Sequence, residues 1–465
     1  MFTPTVEFSI EEIRRILSLP HLRDQAKSSG FFQRESKLSP ELFFDLLLYS
    51  ISLDSVGMSL SNMLSYLESR YVILIRKQSL DRRFSDKCVE FVKSVLKEVI
   101  QERLSSLYTK SFLSHFGRVR IKDSTKFKVP SNLSDEYKSC GGSQTKFKAG
   151  ISIQYEYDMK SGLILDLTIT SANRHDAKDA IETGGTIIEG DLVIRDLGYY
   201  GIPVFRKIAE TKAYFLSRLH SSTVVFDTEG NPLCFQKIYK KMTLTGEDEM
   251  EMEVLAGEKE KFKVRLILQI VPQQVYEQRI RKREKLNRDR GYSTHEETKV
   301  RYKFNLFITN IEDDILSAKN VLPLYKLRWQ VELMFKSWKS VFEVHKIHKM
   351  KKERYLCMLY ARLLLIVINL QIVYKMQTLL YKRGGKSRIE NRKPQERILS
   401  LYKCLKTLKY FQFMIIEWLR ADDRRVAVIT REIQEILSKN HWLECKKNKL
   451  CFPQIIDIFI CKSDE

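Results

Sequence analysis

Apolar residues recur at helical spacing from the N-terminus to about residue 110. Ser9 with Glu12 reads as a capping box ahead of "IRRILSLP". Ser39 followed by Pro40 opens "ELFFDLLLYSI", with proline at the first helical position. "SLSNMLSYLES" and "KQSLDRRFSDKCVEFVKSVLKEVI" continue the helical period. Near residue 117 the period switches to strand-like alternation. "RVRIKDST" is a strand carrying Asp123, and "FKAGISIQYEY" and "LILDLTIT" are two more, joined through the turn signal "DMKSG". "SANRHDAKDAIETGGTII" reads as loop and helix, "GDLVIRDLGYY" as a strand leading to Asp196 and Gly198, "GIPVFRKIAETK" as a helix and "AYFLSRL" as a strand. Antiparallel strands followed by alternating helix and strand predict an α/β fold with a sheet of mixed order.

From 219 to 303 the pattern loosens. "VVFDTEGNPLCFQKIYKK" and "EMEMEVLAGEKEKFKVRLILQIV" read as strands with turns, and "YEQRIRKREKLNRDRG" as a basic segment, helical or extended. "RYKFNLFITNI" returns to strand, and helices follow from about 316 to the end with a basic break at 382–396. No internal repeat stands out. The chain therefore divides into a helical region 1–112, a first sheet segment 113–218, a β-rich insertion 219–303, a second sheet segment 304–345 and a helical region 346–465.

Composition narrows the function. Of 465 residues 43% are hydrophobic and 11% aromatic, enough for packed cores rather than disorder. Eighty Lys and Arg against 58 Asp and Glu give a formal charge of +22, and the pI is near 9.5, so the expected partner is a polyanion, nucleic acid first. Eight cysteines are scattered without a Cys-x-x-Cys pair, which argues against a zinc module and for free thiols in a reducing cytosol. "MFTPTVEFSIEEIRR" lacks the basic and apolar segments of a secretion signal. "LLLIVI" (363–368) is short and reads as a buried helix, so no membrane association is expected. His345 and His348 share a helix face, but without a third ligand they read as structural or surface residues.

The candidate chemistry lies in three places. "YKLRWQVELMFKSWK" (325–339) reads as one helix whose Tyr325, Arg328, Glu332 and Lys339 project from roughly one face. That face is either a solvated salt-bridge surface or a metal ligand set beside a phosphate backbone. Asp123 and Asp196 each end a predicted strand. Carboxylates held at a sheet edge suit hard divalent cations, and paired cations activate a nucleophile and stabilise a leaving oxygen at a phosphodiester. Asp191 starts the strand that ends at Asp196 and should lie ~17 Å away at about 3.3 Å per residue, so it is not expected as a ligand.

These motifs resemble the DDE transposases of bacterial insertion sequences, in the insertion-sequence-four group marked by Tyr-x2-Arg-x3-Glu-x6-Lys. Tyr325, Arg328, Glu332 and Lys339 match that pattern at every spacing. Asp123 in Asp-x-Thr and Asp196 in Asp-x-Gly-Tyr match the other two signature regions, and "HDA", "FLSRL" and "LFITN" fit the group as well. The likeness is strongest over about 115–345. It implies an RNase H-like catalytic core interrupted by the β-rich insertion. It also implies a cytoplasmic, nucleoid-associated enzyme that uses two Mg²⁺ or Mn²⁺ ions per active site, held by Asp123, Asp196 and Glu332. Double-stranded DNA, both transposon ends and target, would be the partner, and a homodimer the active complex. Water would cut at the transposon end to leave a 3′-OH, which is then joined to target DNA. In relatives that hydroxyl first forms a hairpin on the opposite strand.

Further DNA contacts are expected from chemistry. Arg328 and Lys339 suit phosphates near the scissile bond, with Lys336 next. Tyr325 reads two ways, as a phosphate hydrogen-bond donor or as a buried ring. Arg76, Lys77, Arg82 and Arg83 surround a turn and short helix compatible with a helix-turn-helix head. Arg281, Lys282 and Arg283 in the basic segment, and Arg218 at a strand end, face DNA or, for Arg218, pair with a core acid. His175 and Asp176 offer either a bond near the site or a helix cap by Asp176. One departure stands out. A tryptophan in the insertion aids hairpin formation in some relatives, whereas here Trp occurs only at 329, 338, 418 and 442, leaving Tyr302 or Phe304 as substitutes. Rival readings are an RNase H-like nuclease without strand transfer and a non-catalytic DNA-binding descendant.

Overall fold

The two periodicities resolve into two structural units in a computed structural model, which describes residues 11–54, 56–101, 112–140, 148–288, 291–346, 348–383 and 398–443. One unit comprises 1–107, 124–173 and 330–453; the other comprises 108–123, 174–329 and 454–465.

The first unit is mainly helical. Its N-terminal part holds α1 (Glu11–Ile16), α2 (Leu19–Ser28), α3 (Pro40–Leu53), α4 (Leu60–Tyr71), α5 (Lys77–Arg83) and α6 (Asp86–Gln101). The Ser39-Pro40 start is as expected: the Ser39 hydroxyl accepts from the Leu42 amide at 3.3 Å and proline fills the first helical turn. Ser9, half of the expected capping box, lies outside the described residues. The strands of this unit are the end of β1 (Val119–Lys128), β2 (Gly150–Asp158) and β3 (Ile164–Ser171), the last two antiparallel. The run at 363–368 belongs to a far longer helix than expected, of 32 residues. Its apolar stretch Lys352–Gln377 is long enough to cross a membrane, yet 94% of its most apolar window is buried in the fold, against α6 and α3. Each fully buried Leu or Ile there contributes about 1.5–3 kcal/mol.

The second unit is α/β. From Val119 to Lys122, β1 pairs in parallel with β4 (Leu192–Arg195), and β4 pairs in parallel with β5 (Tyr214–Arg218). All four β4 residues are buried, as a central parallel strand requires. Helices α7 (Asp176–Glu182) and α8 (Ile202–Glu210) connect these strands. The remaining strands are β6 (Val225–Phe226), β7 (Glu249–Ala256), β8 (Phe262–Ile270) and β9 (Phe304–Thr309). The strands of this unit follow the order β1-β4-β5-β9-β8-β7-β6, and β1 contributes residues to both units. This is the mixed α/β architecture expected of an RNase H-like core.

The stretch 219–303 contains helices as well as strands: α9 (Phe235–Thr245), α10 (Gln273–Arg288) and α11 (Glu296–Arg301). "CFQKIYKK", expected in a strand, is the start of α9. Phe235, Ile238, Tyr239 and Met242 form a helical stripe packed on this unit's core, and that packing overrides the β-branched flank. The insertion's strands prolong the main sheet, because β8 pairs antiparallel with β9.

Candidate active site

β1 and β4 are parallel neighbours whose pairing runs from Val119 with Leu192 and stops at Lys122, inside β1, and at Arg195, the last residue of β4. The register pairs Lys122 with Arg195. The following residues are Asp123 and Asp196, so the two carboxylates stand side by side on strands about 4.8 Å apart. Asp123 has 18% of its side chain exposed and Asp196 has 47%, so both face solvent from a rigid base.

Arg328 joins them. Its Nη1 donates to Asp123 Oδ2 at 3.3 Å, and its Nε lies 3.8 Å from Asp196 Oδ1. Expected to grip a phosphate, Arg328 here neutralises two carboxylates that would otherwise repel. The segment expected as one helix is two, α12 (Ala318–Lys326) and α13 (Trp329–Ser340). The amides of Leu327 and Arg328 donate to the carbonyls of Leu324 and Tyr325 three residues back, a tightened turn that ends α12. Tyr325 takes the packing alternative. Its ring is buried 5.3 Å from Phe307, and its hydroxyl donates at 3.4 Å to the carbonyl of Arg195, next to Asp196. Burial pushes its pKa up to about 12 against the opposing charge of Arg328, so it stays a neutral donor.

In the other unit, α13 carries Glu332, Lys336 and Lys339 one and two turns apart, on one face. Its opposite stripe is locked on β2: Trp338 lies 5.0 Å and Phe335 6.2 Å from the buried Tyr155 ring. Lys336 is exposed. Lys339 is half-buried, donates at 3.3 Å to the Lys126 carbonyl, and has its pKa lowered by burial. Asp123 and Asp196 supply hard oxygen donors already sharing a cationic partner, a donor set that fits a divalent ion. Among the described residues no group of three or more His, Cys, Asp or Glu is gathered closely enough to hold a metal. Within its unit, the structure brings Asp123, Asp196 and Arg328 together.

A support beneath Asp123 was not foreseen. Arg118, Arg120 and Lys122 alternate along β1. Arg118 bonds Asp191 at 2.7 Å, Arg120 lies 3.2 Å from Asp191, and Lys122 lies 2.6 Å from Asp179 on α7. Asp191, just before β4, is thus a structural acid. The signal was present: cations at strand spacing, of which Arg120 and Lys122 are fully buried, cannot enter a core without acids. His175, not Asp176, holds the N-cap position of α7. Asp176 instead packs on the turn after Asp196, where a Cβ at Gly198 would sit 3.3 Å from its Oδ2.

The other expected DNA contacts are spread over both units. Arg76, Lys77 and Arg82 are exposed around α5, while Arg83 is half-buried and bonds the Ser36 hydroxyl. Arg281, Lys282 and Arg283 lie exposed on α10. Among the described residues Arg218 pairs with no acid. It lies near Arg279, whose pKa is lowered by burial and by Arg218. Phe304 cannot offer a stacking face because it is 2% exposed in the core, and Tyr302 is half-buried. Tyr292, 71% exposed, is an open aromatic in the same stretch, and no periodicity or motif marks it in the sequence.

Residues 114–370 match the family described as "Transposase DDE domain". The chain is 28% identical over 448 residues to the transposase for insertion sequence element IS231B of Bacillus thuringiensis subsp. berliner, covering 92% of this chain and 91% of the relative. It is 28% identical over 449 residues to that of IS231D of Bacillus thuringiensis subsp. finitimus, with the same coverage. It is 24% identical over 462 residues to that of IS1151 of Clostridium perfringens, covering 95% and 92%.

Proposed function

Because this chain belongs to the family of transposases with a DDE domain, we propose that it cuts DNA at the ends of an insertion sequence and joins the freed ends to target DNA. The observation that carries this reading is the side-by-side placement of Asp123 and Asp196 on β1 and β4, tied together through Arg328. The motif assigns Glu332 as their third partner. Mg²⁺ or Mn²⁺, two ions per site, is the cofactor we assign to these carboxylates; such ions lower the pKa of an attacking water and offset charge on the phosphodiester.

The chain's own residues do the rest. Asp123, inside β1 where its pairing with β4 stops, and Asp196, just after β4, orient the attacking oxygen. A water oxygen forms the new bond to phosphorus and the 3′ oxygen leaves as a hydroxyl, giving a 3′-OH and a 5′-phosphate. In the joining step that hydroxyl attacks a target phosphodiester by the same displacement. Arg328, which pairs with both aspartates, is placed to exchange a carboxylate for a phosphate oxygen as the strand enters. Lys336 and Lys339 hold the backbone beyond it. Paired ends call for a dimer.

The test uses a supercoiled plasmid carrying the inverted ends found beside the coding region. Wild-type protein with Mg²⁺ should nick at those ends and join pre-cut ends to a second plasmid. Asp123→Asn and Glu332→Gln should do neither while still binding the ends. Nicking without joining would make the protein a nuclease, and normal cutting by both variants would remove the site assignment.

A further inference from the structure

The turn between α4 and α5 holds a side chain its backbone would rather not have. Val72 caps α4 with φ 55° and ψ 32°, in the left-handed region. Its amide donates to Glu68 O at 3.0 Å, and the Ile73 amide donates to Leu67 O at 3.2 Å. Glycine usually makes this cap, because a β-branched residue is strained there. The strain serves no core: Val72 is 83% exposed and Leu74, two residues on, is 64% exposed. Around this apolar tip Arg70, Arg76, Lys77 and Arg82 are also exposed. Among the described residues none of the four is paired with an acid, and the nearby Asp81 is held by Arg354 at 3.5 Å.

We propose that the α4–α5 tip is a wedge for duplex DNA, with Val72 and Leu74 entering between base pairs from the minor groove while the four cations hold the flanking phosphates. The inference rests on the transposase reading above. Charge decides the occupant. A protein covering the apolar tip would also desolvate four unpaired cations, which is costly. Duplex DNA instead offers an apolar base stack bordered on both sides by phosphates, and apolar wedges beside Arg and Lys are a general means of kinking it. A left-handed valine in place of glycine is then strain kept for contact with DNA.

The test uses the full-length protein and duplexes bearing the element's end, with 2-aminopurine placed at successive steps. Wild type should raise fluorescence at one step, reporting unstacking. Val72→Gly should raise the melting temperature, since glycine relieves the backbone. The Val72→Gly, Leu74→Ser double variant should abolish the fluorescence rise and weaken binding at least ~10-fold, in line with the removal of one inserted wedge. Its salt dependence should be unchanged. Arg76→Ala with Lys77→Ala should instead lower the log–log salt slope by about 2. Full fluorescence and affinity in the double variant would overturn the wedge, as would a change in its oligomeric state with DNA binding intact. If that variant matches wild type while wild type cuts its ends, only the wedge fails; if wild type binds no end duplex, the transposase reading fails with it.

Discussion

Asp179→Asn is the most informative single change outside the aspartate pair. Lys122 Nζ lies 2.6 Å from Asp179 Oδ2, with side-chain exposures of 0% and 2%. Arg174 also reaches Asp179 at 3.1 Å. Removing one partner of a buried pair costs about 3–5 kcal/mol, because the other charge is left in a dry interior. Lys122 keeps a bond to Thr183 Oγ1 at 3.1 Å, and Arg174 keeps Glu182, so about 3 kcal/mol is the expected loss. Replacing both charges at once, Lys122→Met with Asp179→Leu, should recover stability to within about 1 kcal/mol of wild type. Equilibrium urea unfolding followed by circular dichroism measures both, provided the denaturant slope is unchanged. Since Lys122 precedes Asp123, Asp179→Asn should also slow cleavage at temperatures where the protein stays folded. A loss under about 0.5 kcal/mol, as for ordinary surface changes, or a double variant no better than the single, would refute the view that this pair anchors β1.

Arg328→Lys should reduce cleavage at least ~10-fold with end binding nearly intact, because one ammonium cannot span two carboxylates as the guanidinium does; a gel-based cleavage assay decides it. Replacing Arg281, Lys282 and Arg283 with Ala should lower the salt slope of DNA binding by about 0.9 for each phosphate no longer neutralised, and an unchanged slope would leave α10 a solvated face. Glu41 is 5% exposed. Burial alone would raise its pKa, but bonds from Ser39, its own amide and Arg23 hold it below its ordinary 4.5. Its folded pKa is thus below the unfolded one, so its stabilisation is complete above pH 4.5 and is lost as pH falls through the folded value. Glu41→Gln should flatten the acid side of a melting-temperature profile.

What the sequence could disclose was set by range. The Ser39-Pro40 helix start and the short apolar β4 depend on neighbouring residues, and both are found where the pattern put them. Asp196 follows the end of β4 as its motif suggested, whereas Asp123, expected at a strand end, lies inside β1, which runs on to Lys128; what stops after Lys122 is the pairing with β4, and one strand's period cannot show where its neighbour stops. The stripe Phe235, Ile238, Tyr239, Met242 was legible too, but the β-branched residues before it favoured a strand. The break at Leu327–Arg328 was masked by the helical spacing of Tyr325, Arg328 and Glu332, and no proline or glycine stands at the break to mark it. The bridge from Arg328 to both aspartates joins residues 205 apart in the case of Asp123, and no periodicity encodes it. Phe304 shows the converse limit: an aromatic in a strand gives no hint of which face it takes until the neighbouring strands are known.

The central claim is that Asp123, Asp196 and Glu332 touch the reacting ions themselves. Each should be changed in turn to cysteine, whose soft thiolate binds Mg²⁺ poorly and Mn²⁺ better. Cleavage of the element's ends is then measured in either metal. All three variants should be inactive in Mg²⁺ and regain cleavage in Mn²⁺. A variant that cuts normally in Mg²⁺, or one that binds DNA yet stays dead in both metals while its neighbours are rescued, would contradict the assignment of that residue.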